Sequence, residues 1–227
     1  MRRLGVVTGL AFEAECLSGL DRTIDLQIRV AGASSERARQ ASEALIATGC
    51  DGLLSFGVAG GLDPALDAGA LVVATNVIGP NGRRYGATSD RTDRLAARLG
   101  NNPGVHLGTI AGRDRPVAEP PMKAKLHAET GALAVDMESH EVAAAAIAAG
   151  LPFLAIRAVS DRADSRLPEW LSGTVRTDGS VRLLAVVGRL GLRPWEAWTL
   201  IGVGRANARA KTALRRAALL LGRELLA

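Results

Sequence analysis

Aromatic residues are scarce. Three phenylalanines, three tryptophans and one tyrosine make up 3% of the 227-residue chain. Without stacking side chains, and without any nucleic-acid recognition motif, the sequence predicts no nucleic-acid partner, although its net charge is +5. Two cysteines, Cys16 and Cys50, are too few for a disulfide scaffold and lack metal-ligand spacing, so each is expected as a small core residue in a reduced, cytoplasmic protein. Three histidines, His106, His127 and His140, never come within ligand spacing and form no H-E-x-x-H, which predicts no metal. No apolar run reaches the roughly 18 residues that a membrane-spanning helix needs. The opening MRRLGVVTGLAFEAE has two arginines and an apolar run, but Glu13 interrupts it early and no A-x-A site follows, so it reads as a first strand.

What the chain does have is small apolar residues. Apolar types make up 48%, so the core must be built of Ala, Val and Leu. The length suits one α/β domain with a real core. Residues 4–8 read as a strand, 10–17 as a helix carrying Glu13 and Glu15, 24–30 as a strand, and 36–48 as a helix stopped by Gly49. A buried strand over 53–56 meets the cluster Gly57-Val58-Ala59-Gly60-Gly61, whose bare backbone can approach a ligand closely and offer N–H groups to an anion or a sugar oxygen. The cluster matches neither G-x-G-x-x-G nor a P-loop, which argues against dinucleotide and ATP binding. Further strands are expected over 70–77 and 105–111, with a surface connection over 79–93 that carries Tyr85. A loop follows Gly112, and His140 reads as a helix-surface residue.

Residues 134–164, AVDMESHEVAAAAIAAGLPFLAIRAVSDRAD, organise the rest. An apolar lead runs into Asp136-Met137-Glu138, an Ala-rich helix ends at Gly150, and a strand from 153 stops at Ser160-Asp161. In open α/β sheets ligands sit beyond the C-terminal strand ends, where Glu138 and Asp161 fall one strand-helix-strand repeat apart. Both acids also suit helix N-caps or first-turn charges, and Glu13 suits a solvated first-turn charge.

AVDMES followed by FLAIRAVSDRAD resembles the paired signature of the purine nucleoside phosphorylase and nucleosidase superfamily, especially its methylthioadenosine/S-adenosylhomocysteine nucleosidase branch. SFGVAGGLDPALDAGALVVAT is similar to the family's glycine-rich motif, with Val58 standing where nucleosidases commonly carry a serine. The resemblance implies a single-domain, three-layer α/β/α fold with a mixed central sheet, a homodimer, and no cofactor beyond phosphate as a potential co-substrate. It also implies roles for particular residues. Glu13 would activate the attacking water, Glu138 would hold the sugar hydroxyls under the developing cation, and Met137 would pack on the sugar face. Asp161, oriented by Ser160, would be desolvated, partly protonated and placed to donate to purine N7. The backbone near Val117 would meet the purine edge. Gly57 and Val58 would border the sugar, and Arg157 with the glycine loop could hold phosphate.

GLAFEAE, a shortened middle and a long Trp- and Arg-containing tail resemble the hopanoid-associated phosphorylases, which implies adenosylhopane as substrate and hopanoid biosynthesis as the setting. The core is expected over 1–166 and an extension of the same domain over 167–227. There, 206–226 forms a basic amphipathic helix with Leu214, Ala217, Ala218, Leu221 and Leu225 on one face. That face suits packing on the core. It equally suits peripheral contact with the inner face of the membrane. Alternatives to the lipid-linked substrate are a soluble methylthioadenosine/S-adenosylhomocysteine nucleosidase and a catalytically idle nucleoside-binding module.

Overall fold

The structure is a computed structural model and describes residues 3–18, 20, 25–86, 102–167, 176–180 and 197–226. The eight strands among the described residues share one mixed sheet. β1 (Arg3–Thr8) lies parallel between β2 (Asp25–Val30) and β3 (Gly52–Gly61). β3 is the hub: it pairs with β1 near its start, runs parallel to β8 (Phe153–Asp161) along its length, and ends antiparallel to β7 (Ala134–Asp136). β8 continues antiparallel to β4 (Leu71–Ile78), β4 parallel to β6 (Val105–Gly112), and β6 parallel to β7. β3, β8, β4, β6 and β7 therefore close into a ring, with the short β5 (Arg84–Gly86) on the outer edge of β4.

The central strands read as continuous apolar runs because both faces are covered. One face buries Val7, Leu53, Ala155 and Val159 beneath α2 (Ser35–Ala47) and α4 (Ser139–Ala148). The other buries Val6, Leu54, Phe56 and Ile156 beneath α1 (Ala11–Cys16) and the long α5 (Ala197–Leu226). Cys16 and Cys50 are buried, unpaired core residues. α3 (Pro120–Thr130) bridges β6 and β7 and packs through Leu126 onto Leu62, Ala111, Ala132 and Val135.

Several sequence expectations need correction. The strand expected over 53–56 runs on through the whole glycine cluster to Gly61, because β8 and β7 supply ladder partners for that backbone. α3 falls where no helix was expected. The connection over 79–93 includes β5, which buries Tyr85 under the Arg83 guanidinium, 5.2 Å from the ring centroid. In α5, Ala210, Leu214, Ala217, Ala218 and Leu221 are buried in the second core, so this stripe faces the sheet rather than a membrane. Arg215 and Arg216 stay exposed on the opposite face, and Lys211 pairs with Glu15 at 3.2 Å. No helix among the described residues is long and apolar enough to cross a membrane. The remainder of the tail, with Trp170 and Trp195, lies outside the described residues, as does the Leu225 side chain.

Candidate active site

Glu13 is held inside, not out in solvent as a first-turn charge would be. It sits on the third residue of α1 and is 2% exposed. One carboxylate oxygen accepts from Gly9 N at 2.7 Å and Leu10 N at 2.8 Å, which satisfies amides that a helix start leaves open. The other accepts from Val58 N, 2.8 Å away on β3. Burial raises the Glu13 pKa, and Arg157 and the three backbone amides oppose that rise.

Arg157 is the centre of the cluster and is completely buried. It projects from mid-β8 opposite Gly57, and its Nε is ion-paired with Asp136 at the end of β7. Its Nη2 donates to Ser55 Oγ at 2.7 Å, Ser139 Oγ at 3.1 Å and Glu138 at 3.4 Å, while Nη1 has no hydrogen-bond partner among the described residues. Burial works against the guanidinium charge, but Asp136, Glu138 and Glu13 together raise its pKa.

Glu138 occupies the position before α4 but does not cap it. Asp136 takes that task, accepting from Ser139 N and Oγ. The freed Glu138 carboxyl is buried against Gly9, where a Cβ would stand 2.8 Å from its oxygen. Its pKa is pushed up to about 8, first by burial and then by Asp136 and Glu13, with Arg157 pulling the other way. A Cβ on Gly57 would lie 2.6 Å from the Glu13 carboxyl carbon and 2.7 Å from Arg157 Nη1. The two glycines thus make the room in which three acids gather around one guanidinium.

Asp161 lies further along the same strand end. A bulge at Ala59/Gly60 sets it beside Gly60, where a Cβ would be 3.4 Å from Asp161 Oδ2. From Gly57 to Gly60 is three residues of strand, about 10 Å. Ser160 Oγ donates to Asp161 Oδ1 at 2.8 Å and also contacts Ala59 O at 3.2 Å. Asp161 Oδ2 is ion-paired with Lys123, which is fully buried. Met137 is half-buried between β7 and α4, and Val117 is half-buried against the Leu62 and Val135 cluster that abuts the end of β3.

Of the residues singled out from the sequence, Glu13, Glu138, Arg157, Gly57 and Val58 therefore touch one another. Asp161 with Ser160 sits further along the same strand end, while Val117 packs on the Leu62 and Val135 cluster and Met137 directly follows β7. Asp136, Ser55, Ser139 and Lys123 were missed. Asp136 was visible inside AVDMES, but nothing in one sequence shows that it faces Arg157. Lys123 carried no signal of its own, although Pro120-Pro121 at a helix start and Gly131 at its end could have revealed α3. His140 is buried rather than exposed on its helix: it packs under Gly112, with Nε2 3.3 Å from Asp114. No group of three or more potential metal ligands occurs among the described residues. A cavity of about 470 Å³ lined by Gly69, Leu71, Pro103, Arg209 and Arg216 touches none of the residues singled out.

Residues 30–190 match the Phosphorylase superfamily, and the chain belongs to that family. It is similar to the 5′-methylthioadenosine/S-adenosylhomocysteine nucleosidases of Mycobacterium tuberculosis and Mycobacterium bovis, with 30% identity covering 51% of this chain. The chain spans about 60% of the length of these relatives. Among solved structures, the Helicobacter pylori 5′-methylthioadenosine/S-adenosylhomocysteine nucleosidase superposes with a TM-score of 0.73 at 18% identity, covering 99% of this chain and 98% of that one. Futalosine hydrolase of Helicobacter pylori superposes equally well, with a TM-score of 0.73 at 17% identity over 99% and 97% of the two chains. The mixed α/β fold is the one shared by these enzymes.

Proposed function

We propose that this protein cleaves the N-glycosidic bond of an adenine nucleoside, with water as the nucleophile. The observation that carries this reading is the buried Glu13–Arg157–Glu138 cluster lying along the same strand end as Asp161. Breaking the bond needs a proton for the base, support for an oxocarbenium-like sugar, and a nucleophile at C1′. Glu138, whose pKa is pushed up to about 8 when free, exchanges its proton for hydrogen bonds from the sugar hydroxyls and places its negative charge under the developing cation. Glu13, raised for the same reason, accepts a proton from the water. Asp161 with Ser160 faces N7 of the base, and Met137 and the backbone at Val117 border the sugar and the purine.

Charge favours hydrolysis over phosphorolysis. Arg157, the one cation shown in the cluster among the described residues, is already ion-paired with Asp136 and in contact with Glu138, so a phosphate dianion would find no uncommitted counter-charge there. For the 5′ substituent, two readings remain in order. Adenosylhopane is supported by the likeness of GLAFEAE and the tail to the hopanoid-associated phosphorylases. Burial of the α5 apolar stripe removes that stripe as support for a membrane contact. Methylthioadenosine or S-adenosylhomocysteine is the alternative supported by the mycobacterial relatives. Pure protein incubated with each nucleoside, with and without phosphate, tests both, with the free 5′-substituted ribose as the expected sugar product where phosphorolysis would yield its 1-phosphate. Asp161→Asn is expected to abolish adenine release with the fold retained, and full turnover by that variant would end the reading. We further propose a homodimer, which light scattering checks.

A further inference from the structure

Lys123 is the one lysine among the described residues that is fully buried, and its surroundings suit an ammonium ion. Its three N–H bonds have three acceptors: Asp161 Oδ2, Arg162 O at 2.8 Å and Ser165 O at 3.0 Å. Neighbouring charges are engaged elsewhere. Arg162 pairs with Asp67 and Asp164, and Glu119 pairs with Arg166. Lys123 therefore has Asp161 as its sole carboxylate partner among the described residues. Burying an ammonium is costly, and an apolar side chain of similar volume would hold α3 against the 161–165 turn at least as well. Structural need alone thus explains the pair poorly.

Both oxygens of Asp161 receive hydrogen bonds, one from Ser160 and one from Lys123. A carboxylate in that state accepts hydrogen bonds and has no proton to give to a base. On the nucleoside-cleaving reading above, on which this inference rests, N7 must gain a proton as the C1′–N9 bond breaks and its electron pair moves into the purine ring. We propose that Lys123 supplies that proton through Asp161. Lys123 passes a proton to the Asp161 carboxylate, the carboxylic acid so formed passes that proton on to N7, and the neutral amine regains one from water after adenine leaves. One proton moves along the chain and no redox step is involved. Lys123 acts only through Asp161 and so is a positioning residue, not a catalytic one.

The test compares methylthioadenosine with 4-nitrophenyl riboside, whose leaving group departs without a proton. In Lys123→Met, kcat on methylthioadenosine is expected to fall about 100-fold or more with KM within a few-fold, the scale of a lost general acid, while 4-nitrophenyl riboside turnover falls only a few-fold. Lys123→Arg keeps the ion pair but bears a group that does not release its proton in proteins. It should share the defect on methylthioadenosine, and full rescue by arginine would overturn the relay in favour of a purely electrostatic role. The double variant Lys123→Met/Asp161→Asn should be no slower than Asp161→Asn alone, as expected for residues acting as a unit. Equal losses on both substrates, or multiplicative losses in the double variant, would also overturn the inference. Circular dichroism of each variant separates misfolding from these outcomes. Wild-type turnover with an unimpaired Lys123→Met ends this inference alone, whereas a wild type inert toward 4-nitrophenyl riboside, methylthioadenosine, S-adenosylhomocysteine and adenosylhopane alike ends the nucleoside-cleaving reading and this inference with it.

Discussion

Replacing Arg157 by methionine gives the sharpest test of the acid cluster, because it removes the only cation that, among the described residues, stands against Asp136, Glu138 and Glu13. The variant loses an ion pair to Asp136, a 3.4 Å contact to Glu138, and hydrogen bonds to Ser55 and Ser139 at 2.7 and 3.1 Å. Removing one partner of a buried ion pair costs about 3–5 kcal/mol, because the other charge is left uncompensated. In a chain of this size each kcal/mol moves the Tm by about 2–4 °C, so a drop on the order of 10 °C is expected at neutral pH. The drop must depend on pH in one direction. Below the ordinary carboxyl range Glu13 and Glu138, both raised by burial, are protonated in folded and unfolded states alike and hardly need the guanidinium. As pH rises toward 8, the variant must either ionise buried acids without a counterion or keep them protonated against the solution. Thermal melts of both proteins at pH 4 and pH 8 measure this. A difference of less than about 3 °C at pH 8, or an equal difference at the two pH values, would refute the account of Arg157 as the counterion of the cluster.

Four further outcomes follow from the same geometry. Glu138 has its pKa raised to about 8 from an ordinary value of 4.5, so its contribution to stability is full below pH 4.5 and is lost as pH rises through about 8. Glu138→Gln should flatten the fall in urea-unfolding free energy between pH 5 and 8, and parallel curves would contradict this. Glu13→Gln places an amide donor against either Val58 N or the Gly9 and Leu10 amides, and should cost about 1–3 kcal/mol along with nearly all turnover. Gly57→Ala drives a methyl into the Glu13 carboxyl and Arg157, for a loss of about 1–3 kcal/mol; a variant as stable and active as wild type would show that the strand has slack there. Leu214→Ala should cost about 2–5 kcal/mol by chemical denaturation if α5 is integral to the second core, and a neutral result would detach it.

Much of the strand and helix order was legible because local pattern is a local property. Apolar runs bounded by polar residues located the strands, and Gly49 and Gly150 located the ends of α2 and α4. The glycine cluster misled, since glycine reads as loop until the ladder partners from β8 and β7 are known. The stripe on α5 was readable, but which surface it met was not, because helical periodicity gives a direction without naming the neighbour. Glu13 shows the same limit: a first-turn glutamate is usually solvated, and only β3 crossing over it buries the side chain and adds the third amide.

The sequence by itself determined an α/β chain with an aliphatic core and the motifs that tie Glu138, Arg157 and Asp161 to one family pattern. Tertiary structure alone decided which of those charges meet. Arg157 is shared among Asp136, Glu138 and Glu13 because β3, β7 and β8 converge at one strand end, and Lys123 reaches Asp161 because α3 packs beneath the turn after β8. Hydrophobic pattern depends on spacing along the chain, whereas the electrostatics of a buried site depends on distances of a few ångströms between residues far apart in it.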